Sequence, residues 1–89
     1  MTHPVLGSRR AAVVTGAASG IGLAACERLA ALGLPVCLID VEDDALEQAR
    51  DRVAGHAAHP HQQVIAVAAD VSNAAEMDAA AVHVQDRLG

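Results

Sequence analysis

The chain has 89 residues, 53% of them hydrophobic with a mean hydropathy of +0.30, and contains no Phe, Tyr or Trp. That composition excludes disorder and bounds the chain to one small domain with a core of Val, Leu, Ile and much Ala, modestly stable because aromatic burial is missing. A net charge of -5 and a pI near 5.3 argue against nucleic acid or an anionic membrane surface as a general partner.

Residues 1–9 carry Pro4 and Gly7 without periodicity and are expected to form a loose arm, with residues 10–89 making the domain. Ser8-Arg9-Arg10 ahead of an apolar run superficially resembles a twin-arginine export signal, but a strand accounts for that run. No stretch has the length of a membrane-spanning helix. Cys26 and Cys37 are not spaced as a metal or redox pair, and two thiols in apolar surroundings suit a reducing cytoplasm, which is the expected location.

Ala11 to Thr15 is too short for a helix and is stopped by Gly16, so it reads as a first strand. Ile21 to Leu32 places Ile21, Ala25, Leu29 and Leu32 at helical spacing, and Gly33 falls where a C-terminal glycine would end that helix. Val36 to Ile39 is a continuous apolar run ending at Asp40, the pattern of a strand covered on both faces in a parallel sheet. A second helix starts at Glu42, with Ala45, Leu46, Ala49 and Val53 on its apolar side, acids at its start and arginines at its end, an order that suits the helix dipole. Gly55 to Gln63 reads as a polar, solvated connection, and Val64 to Ala68 as a third strand. Asn73 and Glu76 have capping-box spacing at the start of a last helix, whose expected stripe is Met77, Ala81, Val84 and Leu88.

The fold class is therefore α/β, a βαβαβ half with one further helix and a three-stranded parallel sheet in order 3-2-1. Helices one and two are expected on one face. The last helix would cover the other if the chain crossed back to a fourth strand beside strand one. Strand one is then expected as an open sheet edge through which two copies could self-associate.

Between the first strand and the first helix stands Thr15-Gly16-Ala17-Ala18-Ser19-Gly20-Ile21-Gly22. Three glycines in seven positions permit a tight turn and close approach of a ligand, and the first helix amides beyond them suit an anion, most often a phosphate. A P-loop is excluded, because it requires a lysine and the chain has none. The string resembles the T-G-x-x-x-G-I-G cofactor loop of the short-chain dehydrogenase/reductase family at every fixed position, and the resemblance runs from Arg10 to Gly89. It implies a Rossmann-type fold in which Gly16, Ser19, Gly20, Ile21 and Gly22 meet the phosphates of a nicotinamide dinucleotide.

Asp40 lies eighteen positions beyond Gly22 at the end of the second strand, followed by Val41. A carboxylate there can accept both ribose hydroxyls and repels a 2'-phosphate, so NAD is expected in preference to NADP. Ser19, where NADP-preferring relatives often carry a basic residue, agrees. The alternative for Asp40 is an N-cap of helix two. Asp70-Val71, at the end of the third strand, resembles the family's D-V segment that holds the adenine ring, Asp70 by polar contact and Val71 by packing; the alternative is a local turn. His56, His59 and His61 invite a metal site, but no carboxylate or cysteine accompanies them and Pro60 makes the segment loop-like, so no metal is expected; His3 and His83 receive no role.

The family's reaction uses a Tyr-x-x-x-Lys pair, and this chain contains neither tyrosine nor lysine, so no catalytic residue is assigned. The chain thus reads as the NAD-binding N-terminal part of such an oxidoreductase, inactive by itself, and a free-standing nucleotide-binding or regulatory module is the rival. The substrate is not legible.

Overall fold

The computed structural model describes residues 4–6 and 11–88. Its elements are β1 (Pro4–Leu6), β2 (Ala12–Thr15), α1 (Gly20–Ala31), β3 (Val36–Asp40), α2 (Asp43–Ala54), β4 (Val64–Ala68) and α3 (Ala74–Leu88). The three strands anticipated from the apolar runs are β2, β3 and β4. They are parallel neighbours, with Val14 opposite Leu38 and Leu38 opposite Ala66.

The sheet carries one strand more than expected. Pro4–Leu6 pairs antiparallel with β2, Val5 opposite Val13, giving the order β1-β2-β3-β4. The expected loose arm is corrected at these residues, the remainder of the arm lying outside the described residues. Pro4 is the first residue of an edge strand, a position where proline is tolerated. The edge of β2 expected to stand open is thus occupied, and the premise for self-association through it falls.

Alternation along the strands divides the core. Val14, Val36, Leu38 and Val64 pack with Cys26, Ala30, Leu46, Ala49 and Val53 of α1 and α2. Cys37, Ile39 and Ile65 point the other way, to Ala80 of α3 with Met77 and Val84 beside it. The last helix therefore already covers the opposite face.

Two helix faces differ from expectation. On α1 the buried residues are Gly22, Cys26 and Ala30, while Ile21 and Leu32 are exposed. The helix is apolar on nearly every side, so contrast does not fix its face; the small residues do, because they allow its axis close to the sheet. On α3, among the residues whose side chains are described, Ala80 is buried and Ala81 is exposed, and the expected Leu88 lies outside them. Gly33 ends α1 as expected: at φ 91° it forms a Schellman motif, its N–H donating to Ala30 O at 3.0 Å and the Leu34 N–H to Leu29 O at 3.2 Å.

The 55–63 connection is not simply solvated. Half-buried Gln62 donates from Nε2 to Ala30 O at 2.8 Å and to Leu34 O at 2.7 Å, and its Oε1 accepts the N–H groups of Ala58 at 3.0 Å and His59 at 3.3 Å. One side chain thereby ties the loop to the end of α1.

Candidate functional site

The register aligns the C-terminal ends of the three parallel strands, Thr15 opposite Ile39 and Asp40 opposite Ala68. Three short segments leave this edge together: the glycine loop after β2, Asp40-Val41 at the end of β3, and Asp70-Val71 after β4. All the residues singled out from the sequence as cofactor contacts thus share one edge of the sheet.

Gly16 and Gly20 have φ of 65° and 59°, the left-handed region that side-chain-bearing residues avoid. Between them the chain is stitched to β3. The Ala17 N–H donates to Ile39 O at 3.2 Å and the Ala18 N–H to Asp40 Oδ2 at 3.0 Å, while Asp40 Oδ1 accepts the Val41 N–H at 2.7 Å. Asp40 is therefore not the N-cap of helix two: that position is Glu42, and Asp40 spends its oxygens on the loop and on its own next amide.

At α1 the N-cap Ser19 is extended, makes no side-chain cap bond, and no acid stands in the first turn. Helical bonding begins only with the Leu23 N–H to Ser19 O at 3.4 Å. The amides of residues 20–22 precede that bond, and the first turn of the helix carries no acid of its own. A Cβ built on Gly20 would meet nothing within 4 Å, so the loop is open above this position. The donors, the open cradle and the acid beside it fit a phosphate-bearing nucleotide.

Asp70 is drawn into a local turn, as its alternative reading has it. Its Oδ1 accepts the Ser72 hydroxyl at 2.7 Å and the Ser72 N–H at 2.9 Å, and these bonds, the hydroxyl first, hold its carboxyl below the ordinary aspartate range. Asn73 Oδ1 accepts the Glu76 N–H at 3.1 Å as a cap should, but Glu76 returns its bond to the Asp70 N–H at 3.0 Å rather than to Asn73, correcting the simple capping box. Asp70 Oδ2 has no partner among the described residues.

Apolar exposure is concentrated here. Of the five large hydrophobic residues exposed among those described, Ile21 (82%), Val41 (60%) and Val71 (57%) each belong to one of the three segments.

Elsewhere the histidines go separate ways. His56 Nε2 lies 3.2 Å from Glu27 Oε2, which also binds Arg52 Nε at 2.6 Å, and His59 packs over Gly33. Among the described residues no group of three or more His, Cys, Asp and Glu is placed to hold a metal. Cys26 and Cys37 are buried free thiols, each pushed up to about 12, Cys26 by burial and then Glu27, Cys37 by burial and then Cys26. Two concavities of about 380 Å³ flank β4, sharing Ala66 and His83, and lie apart from the loop. No described helix is long and apolar enough to cross a membrane.

A parallel strand running through a glycine loop into an uncapped helix, with an acid at the end of the neighbouring strand, defines a dinucleotide-binding half of Rossmann type. The profile of the short chain dehydrogenase family matches residues 10–89, and the chain belongs to that family, whose members bind nicotinamide dinucleotides. It is 44% identical over 80 residues to 1-deoxy-11-beta-hydroxypentalenate dehydrogenase of Streptomyces exfoliatus, covering 90% of this chain and 28% of that one. With levodione reductase of Leifsonia aquatica the identity is 36% over 80 residues, covering 90% and 29%.

Among solved structures, L-sorbose reductase from Gluconobacter frateurii, complexed with NADPH and L-sorbose, superposes with a TM-score of 0.76 at 32% identity, covering 86% of this chain and 28% of that one. NAD+-bound xylitol dehydrogenase gives 0.70 at 31%, covering 83% and 27%. The chain spans less than a third of the length of these relatives and matches their N-terminal region.

Proposed function

We propose that this chain binds NAD(H), in preference to NADP(H), as the adenosine-holding part of a short-chain dehydrogenase that moves a hydride between nicotinamide and an alcohol or carbonyl. The observation that carries the reading is the meeting, at one sheet edge, of the glycine loop with its unpaired first helix amides and the Asp40 carboxylate at the end of the neighbouring strand, an anion site beside an acceptor for ribose hydroxyls. Gly16, Ser19, Gly20, Ile21 and Gly22 take the phosphates, Asp40 with Val41 the ribose, and Asp70 with Val71 the adenine. An acid at position 40 and a serine at position 19 favour a ribose with a free 2'-hydroxyl, because a phosphate there meets a like charge and no cation. The cytoplasm is the compartment that suits two reduced thiols.

Without tyrosine or lysine the chain lacks the Tyr-x-x-x-Lys pair that the family's reaction uses, so no turnover is expected of it by itself. Isothermal titration with NAD, NADP and AMP tests the reading. NAD is expected to bind more tightly than NADP, and AMP about as well as NAD, because the contacts named here are to the adenosine half and the phosphates. Equal or tighter NADP binding would refute the preference, and no binding of any of the three would refute the function.

A further inference from the structure

We infer that Asp40 is a positioning residue for the phosphate loop, acting through the Ala18 amide, in addition to its place beside the ribose in the reading above, on which this inference rests. Ala17, Ala18 and Ser19 lie between two glycines in the left-handed region; the two alanines have no polar side chain and Ser19 makes no side-chain cap bond. The loop must be held from outside. Its ties to β3 are the Ala17 N–H to Ile39 O and, one residue closer to the helix, the Ala18 N–H to Asp40 Oδ2 at 3.0 Å.

Asp40 is itself fixed by the Val41 N–H on Oδ1 at 2.7 Å, so the plane of its carboxylate is set by two backbone amides that are 23 residues apart in the chain. Each oxygen keeps a second lone pair for a hydroxyl. The orientation that anchors the loop is therefore the one that leaves acceptors for a ribose. Replacing Asp40 to change cofactor preference also releases the loop, a cost that falls even on a ligand that has no ribose.

Removing the carboxylate also removes a negative charge close to the anion, which by itself strengthens anion binding. The decisive comparison is thus between two neutral variants, Asp40→Asn, whose one amide oxygen serves the part-buried Ala18 N–H while the exposed Val41 N–H is left to water, and Asp40→Ala, which accepts from neither. The probe is inorganic pyrophosphate, titrated calorimetrically, with hydrogen exchange of the assigned Ala18 amide as a second readout. Asp40→Asn is expected to bind pyrophosphate about fivefold more tightly than Asp40→Ala, and the Ala18 amide to exchange about fivefold more slowly, the factor that one hydrogen bond of ordinary net strength supports. Equal pyrophosphate affinity in the two variants overturns the inference. Should the unaltered chain bind neither NAD nor pyrophosphate, it is the cofactor reading that fails, and Ala18 exchange alone decides the tie, equal rates overturning it. If Asp40→Ala does not fold, Asp40→Ser, whose hydroxyl is one atom too short for Ala18, replaces it in the comparison.

Discussion

Replacing Gln62 by alanine should destabilise the fold more than any other single polar truncation outside the glycine loop. The side chain makes four hydrogen bonds, two donated to carbonyls at the end of α1 and two accepted from the 58–59 backbone. At about 0.5–1.5 kcal/mol net for each bond the sum is about 2–6 kcal/mol, and water reaching this half-buried position brings the expectation to about 2 kcal/mol. A domain of this size has a total stability of about 4–13 kcal/mol, so the loss is a large share. It should lower the melting temperature by about 8–16 °C.

Gln62→Glu separates the donors from the acceptors. Its carboxylate can still accept from Ala58 and His59 but sets negative oxygen against the carbonyls of Ala30 and Leu34, so at neutral pH it should be no more stable than Gln62→Ala. Those carbonyls raise the pKa of the introduced glutamate in the folded state. Its protonated form is then the favoured one, and stability should be regained as pH falls through that raised value, opposite in sign to an ordinary paired carboxylate. The assay is urea denaturation followed by far-UV circular dichroism, since a chain without Trp or Tyr gives no useful intrinsic fluorescence. A Gln62→Ala midpoint indistinguishable from the unaltered chain, or a Gln62→Glu deficit that does not shrink on acidification, would refute the reasoning.

Three further outcomes are expected. Gly20→Ala meets no steric obstacle but must hold φ near 59°, so it should cost about 1–2 kcal/mol in the same denaturation assay, and a neutral result would mean the loop relaxes out of the left-handed region. Asp70 should titrate below an ordinary aspartate by NMR, its turn persisting above that value and loosening as pH falls through it, and Ser72→Ala should move the titration back upward; an unmoved titration would remove the Ser72 bonds as its cause. Cys26 and Cys37, with pKa pushed up to about 12, should resist a disulfide exchange reagent at pH 8 until the chain is unfolded, and rapid labelling of native protein would contradict their burial.

The parallel strands were legible because continuous apolar runs such as Val36 to Ile39 have few other structural meanings, and the glycine string marked the turn between β2 and α1. The Schellman glycine was legible for the same local reason. What escaped the sequence depends on contacts between distant residues or on choices among similar ones. The face of α1 could not be read from Ile21 and Leu32, since a helix of Ala, Leu, Ile and Gly has little polar contrast to orient it. Gln62 carries no distinguishing mark beside Gln63, which is exposed. The grip of Asp40 on Ala18 requires the register of β2 against β3, and the pairing of Pro4–Leu6 requires that the flank of β2 be available to it.

The two sides of the sheet are unequally furnished, and this sets how the molecule opens. Between the sheet and the helices α1 and α2 lies a continuous layer that includes Leu38, Val36, Val53 and Leu46, whereas among the described residues α3 buries one alanine, Ala80, with Met77 and Val84 only half covered. Helices with little buried area open at a lower free energy than the body they rest on. Native-state hydrogen exchange should therefore find α3 swinging free while β2, β3 and the tied amides of Ala17 and Ala18 remain protected. Val71 and Asp70 sit at the root of that swing. A nucleotide pressed against Val71 would have to quiet α3 as it binds, so the base end of the site is a soft jaw closing on a rigid one, and affinity for the base becomes a measure of how well α3 is folded.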